Sequence, residues 1–427
     1  MERKIDKFLL NWKNTPNKNP LVITGATMVG KSYSAIEFGR KNYENYIYVN
    51  IEYNPLVQNL ILKETNIDRL FEKLCLLYHV DGNQDNTLLI FDNVDYFDKI
   101  LTVLLRFKEW EKEYDVICVC NSITLPKNNT AYVGKVLFKK MYKLDFEEFL
   151  VASAQEQLAE FIKVSYKKCR KNSFHSVAVD YLKQYLVIGG YPSVVSKHLE
   201  TKDFNLVLLE QHEVIKSINS YIFKNYNKNQ TKILNSLQSI PVQLFKENKK
   251  FQYGVIKKGA RQSEYKEPIE WLKKSEILIK CLKVNKINRS ISSSSDDSSF
   301  KLFWNDNGLL ASQYGIDYKN IYDKKWERHM DAIIQNYVAS TLYSNGYHVY
   351  YYESEGKAEV PFVIQSNKGE VIPIDIERRR KAKNITRFNK DNDTIFSINL
   401  SFDNFSKRGN IKNIPLYAVF CITENKQ

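Results

Sequence analysis

One short motif restricts the fold of this chain more than any other: GATMVGKS at residues 25–32. It matches the pattern G-x-x-x-x-G-K-[ST] of a Walker A, or phosphate-binding, loop. The apolar run PLVIT (20–24) precedes the motif, and the amphipathic run SYSAIEFGRKN (32–42) follows it. Because a strand, a loop and a helix are in the right order, the motif predicts an α/β fold with a phosphate site at a helix amino terminus.

Each fixed position of the pattern has a predicted task. Gly25 and Gly30 let the backbone curl, so that successive N–H groups point at phosphate oxygens. Lys31 is expected to reach the β- and γ-phosphates of ATP, and Ser32 to ligate Mg²⁺. The predicted nucleotide-binding residues of the loop are Gly25, Ala26, Thr27, Met28, Val29, Gly30, Lys31, Ser32 and Tyr33.

Two further apolar runs end in polar residues. LLIFD (88–92) ends in Asp92, at the position where such folds place a second metal-binding carboxylate, so we predict that Asp92 and Ser32 hold Mg²⁺. Asn121 follows the run YDVICVC (114–120) and is predicted to bind the nucleotide by sensing its γ-phosphate. An ordinary strand-end turn is the alternative at both positions.

The residue after Asp92 bears on hydrolysis. Many ATPases have a glutamate there to activate the attacking water, whereas this chain has Asn93. An amide can orient water but cannot accept its proton, and loss of a general base costs ~10²–10⁴-fold in rate. We predict catalytic roles for Lys31, Asp92 and Asn93 in slow or conditional hydrolysis. The alternative is a substitute base, either Asp95 or a residue of a partner subunit.

The composition indicates several soluble domains. The chain has 427 residues, of which 43% are hydrophobic, and no stretch approaches the ~18 apolar residues of a membrane-spanning helix. The amphipathic start MERKIDKFLLNWKN does not look like a signal peptide, and the six cysteines form no CxxC pair. We therefore expect a cytoplasmic protein with free thiols. The net charge of +14 suggests a polyanionic partner or simply a lysine-rich composition.

Changes of pattern along the chain predict four domains. Alternating strand-like and helical runs predict a P-loop core over residues 1–155, and a helical pattern predicts a lid over 156–228. Helices followed by a β-ribbon predict a winged helix with a Ser-rich linker or mobile wing tip over 229–299. A helix near 327–344 and several short strands predict a second α/β domain over 300–427.

Runs along nearly the whole chain resemble a bacterial and archaeal family of AAA-type, STAND-related ATPases. The resemblance implies an α/β fold class with a P-loop NTPase core of AAA type, a helical subdomain, a winged helix and a C-terminal restriction-endonuclease-like domain of unknown function. The runs that carry it are GATMVGKSYSAIEFGRKNYENYIYVNIEYNP (25–55), YVGKV (132–136), YKLDFEEFL (142–150), IGGYPSVV (188–195), KKGARQSEYKEPIEWL (257–272), FKLFWNDNGLL (300–310), QNYVASTL (335–342), AEVPFVI (358–364) and VIPIDIE (371–377).

This chain departs from the family pattern in the ATPase core. Members of the family usually carry Arg-Gln where this chain has Thr27 and Met28, and Glu where it has Asn93. STAND-type ATPases that lack the glutamate act as slow switches. The resemblance therefore implies ATP and Mg²⁺ as cofactors and favours nucleotide binding with slow or conditional turnover.

The departures in the C-terminal domain concern the metal ligands of the nuclease. Gln335 replaces the carboxylate of the first helix, Pro361 replaces the metal-binding aspartate, and Glu377 replaces the lysine that follows Asp375. Losing both the ligand geometry and the charge balance predicts an inactive nuclease-like domain. Glu359, together with Asp375 and Glu377, either collects a cation or forms a solvated acidic face.

Two basic segments leave nucleic acid open as a partner. In a winged helix, Arg261 and Lys266 would face a DNA groove or phosphates, and internal docking on the ATPase core is the alternative. The run ERRRKAK (377–383) either contacts phosphates or is a solvated loop. We predict an ATP–Mg²⁺ conformational switch that does not insert into membranes, and the sequence leaves an oligomer or a partner protein open. The alternative is a nucleic-acid-binding protein with a mainly structural nucleotide.

Overall fold

The structure is a computed structural model that describes residues 1–81, 86–122, 131–287, 290–316, 327–353, 359–377, 383–392 and 394–423. The chain divides into two compact units, one from Glu2 to Lys143 and one from Leu144 onward. All six cysteines are free thiols. Within the described ranges, none of the helices has the length and apolar character needed to cross a bilayer.

The first unit is an α/β unit in which three strands match the apolar runs at 20–24, 88–92 and 114–120. Strands and helices alternate along it, as the apolar and amphipathic runs require. Its elements in chain order are α1 (Lys4–Lys13), β1 (Leu21–Thr24), α2 (Lys31–Asn42), β2 (Asn45–Asn50), α3 (Pro55–Lys63), α4 (Ile67–Tyr78), β3 (Thr87–Asp92), α5 (Ile100–Glu109), β4 (Asp115–Val119) and β5 (Leu137–Lys140).

The five strands form one parallel sheet in the order β2-β3-β4-β1-β5. Ile23 in β1 and Asp92 in β3 are both in register with Val119 in β4. Since neighbouring strands are about 4.8 Å apart, Asp92 lies level with the end of β1 at a distance of about 10 Å. The parallel order therefore brings the ends of β1, β3 and β4 to one edge of the sheet, where ligands bind in such folds.

The core of this unit explains why its central strand reads as an unbroken apolar run. Every residue of β3 is buried, as expected for a strand covered on both faces of a parallel sheet. On α4 only one face is apolar and buried, with Leu70, Phe71 and Leu74 in the same core. The continuous run of β3 and the periodic run of α4 thus report two different degrees of burial.

The second unit opens with a group of helices. They cover the segment that the sequence predicts to be a helical lid, and the structure groups this segment with the C-terminal sheet. Gly190 lies so close to the backbone that an added Cβ would sit 2.0 Å from the carbonyl oxygen of Leu144. The helices are α6 (Phe146–Ala152), α7 (Glu156–Lys168), α8 (His175–Ile188), α9 (Pro192–Thr201) and α10 (Phe204–Asn225).

Three helices and a hairpin follow, in the order expected for a winged helix. They are α11 (Gln230–Leu244), α12 (Tyr253–Ile256), α13 (Gln262–Lys274), β6 (Leu278–Val284) and β7 (Ser295–Trp304). The predicted Ser-rich linker differs from the structure, because Ser295–Ser299 belong to β7. The boundary predicted between residues 299 and 300 consequently falls inside a strand that pairs with β6.

The hairpin continues into a mixed sheet of eight strands, ordered β12-β13-β11-β10-β9-β8-β6-β7. The strand β6 joins it by parallel pairing of Leu282 with Tyr350. The remaining elements are α14 (Asn307–Tyr314), α15 (Glu327–Ser344), β8 (Tyr350–Glu353), β9 (Glu359–Gln365), β10 (Val371–Ile376), α16 (Lys383–Asp391), β11 (Ser397–Ser401), β12 (Ser406–Arg408) and β13 (Ile411–Pro415).

Candidate nucleotide-binding site

The phosphate loop spans the gap between β1 and α2. Its backbone passes through left-handed conformations at Met28 (φ 68°) and Gly30 (φ 95°), which glycine adopts without steric cost. Gly25 has φ 149°, and a Cβ there would lie 2.1 Å from the carbonyl oxygen of Met141. Glycine is thus required at position 25 because another segment of backbone occupies the space of a side chain.

The other loop residues differ in exposure. Ala26 and Val29 are buried, whereas Met28 and Tyr33 are exposed. Thr27 and Ser32 are half-buried. Ala26 and Val29 thus anchor the loop in the core of the unit, whereas the side chains of Met28 and Tyr33 face the solvent.

Lys31 is buried, with 7% of its surface exposed. Its ammonium donates to the carbonyl oxygens of Gly25 (2.9 Å) and Ala26 (2.7 Å) and to the side-chain oxygen of Asn121 (2.9 Å). A buried ammonium needs such acceptors because its desolvation is otherwise costly. The structure therefore brings together the lysine of the loop and the predicted sensor at the end of β4.

Asp92 ends β3 and is almost fully buried. Its Oδ2 accepts a hydrogen bond from the Tyr48 hydroxyl (2.7 Å), and its Oδ1 accepts one from the backbone N–H of Asn93 (2.8 Å). Burial, aided by the hydrogen bond to Asp92, raises the pKa of Tyr48, so the phenol remains a donor at neutral pH. Sequence reasoning missed Tyr48, for which the only signal is its place on the half-buried face of β2.

Asn93 adopts a left-handed backbone, with φ 55° and ψ 40°. Asparagine is enriched in this conformation, in which a longer side chain without local hydrogen bonding is disfavoured. The residue that replaces the expected glutamate thus also suits the turn that follows β3.

Asp95, the substitute base that the sequence offers, is held by the end of β4. Its carboxylate accepts hydrogen bonds from the backbone N–H groups of Asn121 (3.0 Å to each oxygen) and Ser122 (2.8 Å). Burial raises the pKa of Asp95, while those N–H groups and the charge of Lys31 oppose the rise. Asp95 therefore connects the turn after β3 to the end of β4 by hydrogen bonds.

The donor set at this edge suits Mg²⁺. A carboxylate and a hydroxyl, from Asp92 and Ser32, are hard oxygen ligands of the kind this ion prefers. Each oxygen of Asp92 accepts one hydrogen bond and keeps a lone pair for a further partner. These two residues would hold the ion beside bound phosphates.

The residues predicted to have lost nuclease chemistry lie on α15, in β9 and directly after β10. Gln335 is fully buried on α15 and donates to Asp331 (3.1 Å), and Pro361 is buried in β9. Asp375 accepts from the N–H of Ile376. Glu377 accepts from the side chain of Asn399 (2.8 Å).

The acidic residues near these positions are, from the sequence, candidates for holding a cation. Among the described parts of the chain, no three His, Cys, Asp or Glu side chains are grouped so that they could hold a metal ion. Glu359 instead forms an ion pair with Lys301. Most of the basic run predicted at 377–383 lies outside the described residues.

Three family matches cover most of the chain. Residues 17–150 match an AAA domain family. Residues 179–320 and 330–419 match two families described only as domains of unknown function, DUF8612 and DUF4143. No curated protein matches the chain.

Solved structures with weak overall similarity include a STAND ATPase with a tetratricopeptide repeat sensor from Pyrococcus horikoshii. That match has 15% identity and a TM-score of 0.30, and it covers 81% of this chain and 45% of that protein. This chain therefore spans less than half the length of that relative. A DNA replication initiation factor matches at 17% identity and TM-score 0.24, covering 56% of this chain and 67% of that one. Drosophila ORC bound to DNA matches at 12% identity and TM-score 0.26, covering 73% and 95%.

Proposed function

Because residues 17–150 are an AAA-type ATPase domain with a P-loop NTPase fold, we propose that this chain binds ATP with Mg²⁺ and acts as a slow or conditional conformational switch. The observation that carries the proposal is the hydrogen bond between the Lys31 ammonium and the Asn121 side chain. If Lys31 leaves Asn121 to bind a phosphate, the Asn121 side chain loses this hydrogen bond. The end of β4 would therefore respond to nucleotide binding.

The turn after β3 supports slow turnover. Asn93 offers no proton acceptor, and the backbone N–H groups of Asn121 and Ser122 hold the Asp95 carboxylate at the end of β4. The chain's own residues would thus bind and orient the phosphates and a water molecule without removing its proton. When bound, Mg²⁺ would supply neutralisation of phosphate charge.

The test is equilibrium binding of a fluorescent ATP analogue together with a sensitive assay of phosphate release. We expect tight Mg²⁺-dependent binding and slow release in the natural protein. Lys31→Ala should lose binding, whereas Lys41→Ala, which removes an exposed charge from the same helix, should not. Absence of binding in the natural protein would refute the proposal. Phosphate release no faster than in Lys31→Ala would refute the hydrolytic part alone.

We further propose that α11–α13 with the hairpin β6–β7 act as a winged helix, and that the C-terminal α/β region is an inactive nuclease-like domain. The order of three helices and a hairpin supports the first part. The second part is supported by the positions of Gln335 on α15 and Pro361 in β9. It is also supported by the hydrogen bond that the Asn399 side chain donates to Glu377. Metal-dependent DNA cleavage that Asp375→Ala abolishes would contradict the inactive assignment.

Nucleic-acid binding is the second candidate function, and one observation favours it. The three acidic side chains of α13 are neutralised within the unit, since Glu264 pairs with Lys232, Glu267 with Lys228 and Glu270 with Lys280. The neighbouring basic residues Lys257, Lys258, Arg261 and Lys266 are exposed. Their charges could therefore meet phosphates without repulsion from unpaired acids.

Fluorescence anisotropy with duplex DNA over a range of salt concentrations tests this candidate. We expect affinity to fall steeply with salt and to drop in a Lys258→Ala/Arg261→Ala variant. Lys407→Ala/Arg408→Ala removes two exposed charges on β12 and is the matched control. Equal affinity of the two variants would assign any binding to non-specific charge and reject a DNA role for the winged helix.

A further inference from the structure

Arg3 contacts the phosphate loop from the start of the chain, and it matches no motif. It immediately precedes α1, and 9% of its surface is exposed. We propose that Arg3 is a positioning residue for the phosphate loop, which it holds in the shape that binds a nucleoside triphosphate. The proposal rests on the function proposed above and adds a residue to its machinery.

The guanidinium connects two segments that are far apart in sequence. Its Nη1 donates to the carbonyl oxygen of Val29, within the loop, at 3.2 Å. Its Nη2 donates to the carbonyl oxygen of Tyr142, after β5, at 2.7 Å. One planar side chain thus joins the second half of the loop to the segment that follows the edge strand.

The bond to Val29 determines where the next N–H points. In a trans peptide the C=O and the following N–H are coplanar and point in opposite directions. Arg3 holds the Val29 oxygen on its own side, so the N–H of Gly30 points to the other side. Backbone N–H groups of such a loop bind phosphate oxygens, and the conformational freedom of Gly30 leaves this peptide able to rotate unless it is held.

The bond to Tyr142 restrains the other half of the loop. Tyr142 follows Met141, whose N–H donates to the Thr24 oxygen at 2.8 Å. The Met141 oxygen lies against Gly25, where an added Cβ would approach it to 2.1 Å. By adding a bond to this segment, Arg3 helps to hold the backbone against which Gly25 packs, so its side chain bears on the surroundings of both glycines of the loop.

The position of Arg3 is itself well determined. Its backbone N–H donates to the Asp6 carboxylate at 2.9 Å, which caps the first turn of α1. Ile5, Leu9 and Trp12 bury the inner face of this helix. The helix therefore presents the guanidinium at a constant place, which a flexible terminal residue could not do.

The experiment compares four variants of the full chain: Arg3→Met, Arg3→Lys, Ile5→Ala and Lys7→Met. Arg3→Met removes every side-chain donor at this position. Arg3→Lys keeps the charge but cannot donate from two coplanar nitrogens at once. Ile5→Ala destabilises α1 without removing a bond to the loop, and Lys7→Met removes an exposed charge from the same helix. Two quantities are measured: hydrogen exchange of the peptide over residues 25–33 without nucleotide, and the dissociation constants of MgATP and of Mg-tripolyphosphate.

We expect Arg3→Met to raise exchange of the loop peptide and to weaken both ligands about tenfold, because the phosphate-binding N–H groups are affected and the nucleoside is not. Arg3→Lys should fall between Arg3→Met and the natural protein, and Lys7→Met should match the natural protein. If Arg3→Met does not fold, the same comparison is made with Arg3→Lys.

Loop exchange and affinity in the Arg3 variants no worse than in Ile5→Ala, at comparable loss of melting temperature, would overturn the proposal. Failure of the natural protein to bind MgATP would refute nucleotide binding instead, while the exchange measurement would still decide whether Arg3 orders the loop. The two failures are therefore distinguishable.

Discussion

The ammonium of Lys31 lies 2.9 Å from the side-chain oxygen of Asn121, which joins the loop after β1 to the end of β4. The same ammonium is held by two carbonyl oxygens of the loop. Asp95 in turn holds the backbone N–H of Asn121. A change at Lys31 is thus connected by hydrogen bonds to the turn that contains Asn93.

Replacement of Asn121 by aspartate should weaken nucleotide binding. A carboxylate would pair with the Lys31 ammonium more strongly than the neutral amide oxygen does, and it would repel phosphate. We expect Asn121→Asp to raise the dissociation constants of ATP and ADP about tenfold, measured by titration calorimetry. Asn121→Ala should stay within roughly threefold of the natural protein, since it removes an acceptor without adding charge. Equal affinities in the two variants would show that Lys31 does not exchange partners.

Restoring an acid after Asp92 should raise turnover. Asn93→Glu supplies a proton acceptor, and we expect ATP hydrolysis to rise by about 10²-fold, the lower part of the usual range for a general base. The left-handed backbone at this position should also make the variant about 1 kcal/mol less stable. Asn93→Gln has a similar length and the same backbone cost but no base, so it is the matched control. Similar turnover in both variants would contradict the idea that the missing base at position 93 limits hydrolysis.

Acid should destabilise the second unit through His198. Burial, with a smaller effect from the charge of Lys202, lowers the pKa of His198 from 6.5 to about 4. The unfolded chain therefore takes up a proton below pH 6.5 that the folded chain takes up only near pH 4. Stability should consequently fall as the pH falls through this window, by on the order of 3 kcal/mol.

Chemical denaturation at a series of pH values measures this effect. The ring of His198 is stacked near that of Phe149, so His198→Phe offers a similar shape without a titrating group. We expect this variant to keep its stability between pH 6.5 and 4 better than the natural protein. His212→Gln, which changes an exposed histidine, should retain the full pH dependence. If the stability of His198→Phe depends on pH in the same way as that of the natural protein does, His198 is not the group that causes the acid destabilisation.

The ion pair of Lys301 and Glu359 should respond differently to the loss of each partner. Lys301 is 1% exposed, and its partner's side chain is 40% exposed. Glu359→Gln leaves a buried ammonium without its counter-charge, which we expect to cost about 3 kcal/mol. Lys301→Met leaves a carboxylate that water can reach, so we expect a loss of about 1 kcal/mol or less. Urea unfolding of both variants checks the order, and a larger loss in Lys301→Met would contradict it.

Much of the ATPase fold could be predicted from the sequence. The apolar runs at 20–24, 88–92 and 114–120 correspond to β1, β3 and β4, and the AAA domain match agrees with the phosphate loop read from GATMVGKS. These predictions succeed because periodicity and loop motifs are local properties of the chain. The predicted roles of Asp92, Asn93 and Asn121 rest on strand ends, and the parallel order brings those ends to one edge.

The sequence by itself determined the elements, the G-x-x-x-x-G-K-[ST] loop, and the absence of a glutamate after Asp92. Only the tertiary structure decided the partners of the key side chains. It makes Asp95 an acceptor for the end of β4, Tyr48 a donor to Asp92, and Arg3 a contact of the phosphate loop. It also joins β6 to β8, so the hairpin belongs to the C-terminal sheet. The physical reason is that a pattern reports the burial of its own segment, whereas a hydrogen bond between distant segments depends on how the whole chain packs.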